Sequence, residues 1–220
     1  MEIKKIDLAM LSQINKQERF HLPHSVEDIH QALKIAYLAE VQRRGGTTLQ
    51  NENAINDLLQ SVAVWLCDPD GKPGILLYGE VGTGKTTALN ALRRVINSAC
   101  RAQPNDNTLL GYGSSVIEIV KAKDIVDSAL NIPMNYLAMK KADLIAIDEL
   151  GVENVDVKNY GNASEPIIDL LSYRYDKMKV TAVSSNLTMK QIEEKYGLRM
   201  ADRFNEMFKK VAFVGKSYRQ

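Results

Sequence analysis

The sequence predicts an α/β fold in which a mostly parallel sheet lies between helices. Three observations predict it. Short apolar runs, GILLYG (74–79), VIEIV (116–120), DLIAID (143–148) and VTAVSSN (180–186), recur along the chain. Segments with apolar residues at helical spacing separate them. Strands that are apolar along their length need cover on both faces, and intervening helices supply it when the strands run parallel.

The elements follow in order. Residues 1–50 read as a short helical N-terminal segment without phosphate-binding chemistry. Ser25 and Asp28 have capping-box spacing, with Asp in place of the usual Glu. Ile29, Ala32, Leu33, Ala36 and Tyr37 then share one helical face, and Gly45-Gly46 should end the helix. A second helix carries Ile55, Leu58, Leu59, Val62 and Leu66, and stops before the turn Asp68-Pro69-Asp70-Gly71. After the strand at 74–79 comes a helix over 84–99, then the strand at 116–120. Residues 122–140 are mostly helical, with a break at Pro133. Residues 143–148 are a third strand, 167–178 a helix and 180–186 a fourth strand. Residues 189–208 read as helical and VAFVG (211–215) as a short last strand. Residues 151–166 form the one long loop, and long loops are commonly functional. The boundary drawn from this pattern separates 1–50, a possible partner-binding segment, from a core over 51–220.

Composition narrows the class. Apolar residues make up 45% and charged residues 25% of the 220, the profile of a soluble globular chain. The formal net charge of +1 gives no global field toward nucleic acid, so any such contact must come from a local patch. Cys67 and Cys100 stand apart from any partner motif and read as small apolar residues in a reducing compartment. His21, His24 and His30 lack companions at zinc spacing. Neither a membrane-length apolar run nor a signal-peptide pattern after Met1 is seen, and a cytoplasmic protein is expected.

The first strand runs into GEVGTGKTT, which places Gly79, Gly84, Lys85 and Thr86 in the pattern G-x-x-x-x-G-K-[ST]. Gly79, Gly82 and Gly84 allow the backbone to wrap with its N–H groups pointing at a phosphate. The helix that begins near Gly84 aims its positive end at the same place. Lys85 adds a full charge on the outer phosphates, and the Thr86 hydroxyl can ligate Mg²⁺. Thr83 and Thr87 complete the expected contact set. ATP with Mg²⁺ is the expected ligand, in a P-loop of the NTPase kind.

DLIAIDE ends an apolar strand with two acids. Asp148 fits the Mg²⁺ contact of a P-loop enzyme, and Glu149 is placed to activate water beside the γ-phosphate. Holding a nucleotide requires no second acid; hydrolysing it does. The fourth strand ends in Ser184-Ser185-Asn186, and the Asn186 amide can both donate to phosphate and accept from water. A turn or helix cap before Thr188 is the competing role for Asn186. In LRMADRF (198–204), Arg199 and Arg203 are one helical turn apart, which by itself describes a solvated helix face as well as a site.

GEVGTGKTT, KADLIAIDELG, VSSN, R-M-A-D-R and the terminal G-K-S-Y-R, in this order, resemble the bacterial helicase-loader ATPases of the DnaC/DnaI type. The IstB-type transposition helpers look closely similar, and both are AAA+ proteins. The likeness covers about residues 52–220. It implies an AAA+ core, and the end of the chain at Gln220 matches members without a C-terminal lid domain. It also implies that Arg203 is an arginine finger acting on the γ-phosphate bound by a neighbouring subunit, with Arg199 supporting it. Arg219 would then contact nucleotide in its own subunit. A replicative helicase, single-stranded DNA and a homo-oligomer are the implied partners. Residues 1–50 match no loader's helicase-binding domain, and the 151–166 loop is longer than the pattern leads one to expect.

Helicase loading is therefore the first reading. A transposition helper on duplex DNA, a small-molecule kinase and a nucleotide-dependent scaffold with little turnover are the others. Glu149 argues against a kinase, and the intact Lys85, Asp148 and Glu149 set argues against a scaffold. For DNA, the tail lysines Lys209, Lys210 and Lys216 fit a phosphate backbone and a solvated face equally well.

Overall fold

The computed structural model describes residues 19–46, 52–102, 116–159 and 162–213. Five parallel strands, β1 (Gly74–Gly79), β2 (Glu118–Lys121), β3 (Leu144–Leu150), β6 (Val180–Ser185) and β7 (Phe208–Phe213), form a sheet in the order β2-β3-β6-β1-β7. Every crossover runs over a face of this sheet, so side chains alternate between two helical layers. Ile75, Leu77, Ala146, Ala182 and Phe213 face one layer, built from α1 (Val26–Arg43), α2 (Glu52–Cys67) and α3 (Lys85–Ala102). Leu76, Ile145, Ile147, Val183 and Phe208 face the other. That second layer contains α4 (Ala122–Asn131), α5 (Pro133–Lys141), α6 (Pro166–Asp176), α7 (Met189–Tyr196) and α8 (Leu198–Met207).

The helix starts follow from local chemistry. Ser25 caps α1 by accepting the Asp28 N–H, and Arg44 and Gly45 close it, Gly45 at φ +84°. Leu33 and Tyr37 of α1 are fully buried in the same core as α2, α3 and β1, so no packing boundary separates this helix from the sheet. Pro133 occupies the first turn of α5 and divides it from α4, as its missing N–H requires. Thr188 and Gln191 form a reciprocal capping box on α7.

Three expectations need correction. The helical stretch at 189–208 is two helices, because Gly197 at φ +84° ends α7 and opens α8. The last strand begins at Phe208, three residues earlier than its apolar pattern suggests. The 151–166 segment is not a structureless loop. It carries an antiparallel pair, β4 (Val157–Asn159) and β5 (Asn162–Ser164). Among the described residues, no helix is long and apolar enough to cross a membrane.

Arg174 of α6 is fully buried and ties the second layer to the sheet. Its guanidinium donates to the carbonyls of Ala142 (2.6 Å) and Val180 (2.6 Å) and to the Thr181 hydroxyl (2.8 Å). Burial pushes its pKa down to about 10, so it stays charged at neutral pH.

Candidate nucleotide site

The site forms where β1, β6 and β3 end side by side. β1 leaves the sheet at Gly79, whose φ of +141° no L side chain adopts readily; a Cβ there would lie 2.2 Å from the Phe213 carbonyl oxygen. Gly82 and Gly84 follow at φ +84° and +93°. Successive backbone turns of this kind gather N–H groups into an anion-binding concavity, and α3 begins directly behind them at Lys85. Lys85 is 6% exposed, and its ammonium donates to the carbonyls of Gly79 (2.8 Å) and Glu80 (2.6 Å). Thr83 and Thr87 are buried, and Thr83 Oγ1 donates to the Glu80 carbonyl (2.8 Å). Gly79, Gly82, Thr83 and Gly84, with Lys85, Thr86 and Thr87 in the first helical turn, are thus brought together.

The two acids lie at an irregularity in the sheet. β3 pairs with β6 in register as far as Ile147–Val183, and the register then shifts before Leu150–Ser185. Asp148 and Glu149 occupy the shifted stretch, and Glu149 has φ +60°, a conformation uncommon for a non-glycine residue. A bulge re-aims side chains, and here it turns Glu149 out while Asp148 stays 5% exposed. Thr86 Oγ1 donates to Asp148 Oδ1 at 3.1 Å. This pair of oxygens, beside a loop whose Gly79, Gly82 and Gly84 all have positive φ, is a donor set that suits a Mg²⁺-nucleotide.

Two residues that the sequence did not single out hold this arrangement. Ser184 of β6, fully buried, donates from Oγ to Asp148 Oδ1, and the same Oγ accepts the Glu149 backbone N–H at 3.0 Å. Lys121, at the end of β2 and level with Asp148 in the parallel register, pairs through Nζ with Glu149 Oε2 at 3.1 Å. That hydrogen bond and the Glu149 charge push the Lys121 pKa above its ordinary value. The only sequence signal for either was a polar residue at a strand's carboxyl end. Beyond the acids, Gly151 (φ +107°) donates its N–H to Glu153 Oε2 at 2.8 Å. Glu153 is buried, and its other carboxylate oxygen accepts from the Tyr196 hydroxyl of α7.

Asn186 follows β6 directly and is exposed between the tips of β1 and β3. Its neighbour Ser185 anchors the turn by donating to the Leu150 carbonyl (2.7 Å) and accepting the Leu187 N–H (3.1 Å). Arg203 is not brought to this site. Its guanidinium lies 5.2 Å from the Tyr175 ring centroid and 3.8 Å from Asp176 Oδ1, at the end of α6. Those residues precede β6, whose Thr181 is level with Gly74 at the opposite end of β1 from the P-loop. Five residues of strand separate the two levels by about 16 Å. Arg199 is exposed one turn earlier on α8, and Arg219 lies outside the described residues.

The structure is similar to that of DnaI, with a TM-score of 0.55 at 19% identity over 86% of this chain and 93% of that one. It is also similar to a DnaC structure described as a helicase loader, with a TM-score of 0.54 at 17% identity over 76% of this chain and 93% of that one. The chain has the α/β fold of the DnaI and DnaC structures. At these identities the likeness establishes the fold alone. No family model matches the sequence. No curated protein matches it either.

Proposed function

We propose that this chain binds and hydrolyses ATP with Mg²⁺ and acts in DNA replication as a helicase loader, assembling with further copies of itself on single-stranded DNA. The observation that carries the ATPase part is the convergence of Lys85, Thr86, Asp148 and Glu149 at the carboxyl ends of β1 and β3, with Ser184 on the intervening β6 fixing both acids. In this reading the loop from Gly79 to Thr87, with Arg219, holds the nucleotide, and Thr86 and Asp148 hold the metal. Bound Mg²⁺ supplies charge neutralisation at the outer phosphates. Glu149 takes the proton of the attacking water, and Asn186 orients that water or senses the γ-phosphate.

Arg203 serves the nucleotide of a neighbouring subunit, with Arg199 supporting it. What favours a role between subunits is its position at the far end of the sheet from its own P-loop. The loader role rests on the likeness to DnaI and DnaC. The N-terminal segment is proposed to meet the helicase, because α1 leaves Ile35 68% exposed on its outer face.

Phosphate release measured alone, with single-stranded DNA and with duplex DNA tests this reading, together with capture of partners from the native host. Hydrolysis stimulated by single strands and recovery of a hexameric helicase are expected. Stimulation by duplex DNA with recovery of a transposase would establish the helper reading instead. Nucleotide binding without turnover under every condition would leave a scaffold.

A further inference from the structure

A second concave site lies at the amino-terminal end of the sheet, on the opposite edge from the P-loop. It is a cavity of about 410 Å³ between the end of α2, the turn before β1 and the start of β7. Trp65 and Phe208, each 1% exposed, are among its walls, and Lys72, Lys209 and Lys210 line it together with a single acid, Asp68. Lys72 and Lys210 are held without carboxylate partners, whereas Lys209, on the other face of β7, feels the Asp68 charge. The Lys72 and Lys210 ammoniums both donate to Asn205 of α8, one to its backbone carbonyl and one to its side-chain oxygen. Among the described residues no carboxylate lies within ion-pair distance of Lys72, Lys209 or Lys210. Other lysines at this end of the sheet are neutralised, Lys140 by Asp169 at 2.6 Å and Lys179 by Asp143 at 2.8 Å.

Burial lowers the pKa of Lys209, which Asp68 opposes and Arg19 reinforces. Burial and then the charge of Lys72 lower that of Lys210. Arg19 adds charge beside the cavity, with its guanidinium 4.8 Å from the Trp65 ring centroid and donating to the Asp68 carbonyl at 2.6 Å. Gly71 makes room for it, since a Cβ there would lie 2.5 Å from Arg19 Nη1. Lys72 and Lys210 converge on Asn205 beside the apolar wall, and an entering anion gains from both.

We propose that this cavity binds a phosphate group, carried by a nucleic-acid strand or by a free phosphate, through Lys72 and Lys210. The site is separate from the nucleotide site and stands whether or not the chain hydrolyses ATP. Its ligand would replace Asn205 as the partner of two lysines, two residues from Arg203 on the same helix.

Trp65 is the chain's one tryptophan, and its indole N–H donates to the Lys72 carbonyl at 2.8 Å. Its emission therefore reports on this cavity and not on the P-loop. Full-length protein should be titrated with inorganic phosphate in one arm and a dT20 oligonucleotide in the other. A saturable shift of Trp65 emission is expected in at least one arm, and it should persist in Lys85→Ala protein, whose P-loop is disabled. The Lys72→Gln/Lys210→Gln double variant should weaken that binding at least tenfold while leaving fluorescent-ATP affinity unchanged. A response to dT20 whose salt slope falls by roughly 0.7 for each lysine replaced assigns a nucleic-acid backbone. A response to phosphate alone assigns a free ligand. Lysine acetylation of the wild-type protein, read by mass spectrometry, does not depend on the variant folding. The responding ligand should protect Lys72 and Lys210 several-fold and leave the exposed Lys190 unprotected. Emission unmoved in both arms, or acetylation of Lys72 and Lys210 unaffected by either ligand, would overturn the proposal.

Discussion

Ser184→Ala removes one oxygen atom and should disturb both acids. Its hydroxyl donates to the Asp148 carboxylate and accepts the Glu149 N–H. A buried hydrogen bond to a charged group contributes about 1.5–3 kcal/mol, and a neutral one about 0.5–1.5. The Glu149 N–H is only partly buried, so water recovers some of the second contribution. The expected destabilisation is about 2–4 kcal/mol, which for a chain of this size lowers Tm by roughly 5–12 °C. Turnover should fall further than stability accounts for. Glu149 sits at φ +60°, and without the serine its backbone loses the bond that holds it there. A drop in kcat of about tenfold to a hundredfold, from 1.4–2.8 kcal/mol of lost positioning, is expected, with the KM for ATP changed less. Calorimetry and steady-state phosphate release measure the two effects. An unchanged Tm together with unchanged kcat would show that Ser184 positions neither acid.

Lys85→Ala should abolish fluorescent-ATP binding, whereas Glu149→Gln should retain it and lose hydrolysis; equal loss of binding in both would refute the division between ground-state and chemical roles. Arg174→Ala should cost about 3 kcal/mol or more by denaturant titration, because it strands the Ala142 and Val180 carbonyls that the guanidinium joins. Glu40 is 1% exposed between Arg43 and Arg94, with ion pairs of 2.9 and 2.8 Å. Burial acts to raise its pKa, but the hydrogen bond and charge of Arg43 and the charge of Arg94 hold it below the ordinary 4.5. Its stabilisation is thus complete above that value and is lost as pH falls through the lowered one. Glu40→Gln should flatten the acid limb of a stability-versus-pH curve.

The strands and the phosphate loop were legible because each depends on residues adjacent in sequence. Ile75, Leu76 and Leu77 announce a strand buried on both faces, and the loop's glycines announce their positive φ. What was illegible involves distance along the chain or a pattern that survives a break. Ile192, Tyr196, Met200 and Phe204 recur every four residues and are all buried, so the apolar stripe runs on across Gly197 although the helix does not. The β4–β5 pair reads VKN and NAS, with no apolar alternation to mark a strand. Ser184 meets Asp148 across 36 positions, and Lys121 meets Glu149 from another strand; only the parallel register and the shift after Ile147 bring them together. Arg203 was legible as an arginine on a helix face. Its distance from its own P-loop appears only once β6 and β1 are aligned.

That distance bears on whether the active site is completed between subunits. Arg203→Ala should still bind ATP through its own Lys85 and yet hydrolyse little, since a finger contributes about 10³–10⁵ in rate. Lys85→Ala binds no ATP but keeps an intact Arg203. When the two inactive proteins are mixed, a Lys85→Ala protomer can supply its arginine to nucleotide held by an Arg203→Ala protomer. Phosphate release should then recover to a fraction of the wild-type rate and rise with total protein concentration. Mixed proteins that co-assemble by light scattering and remain inactive would contradict an active site shared between neighbours.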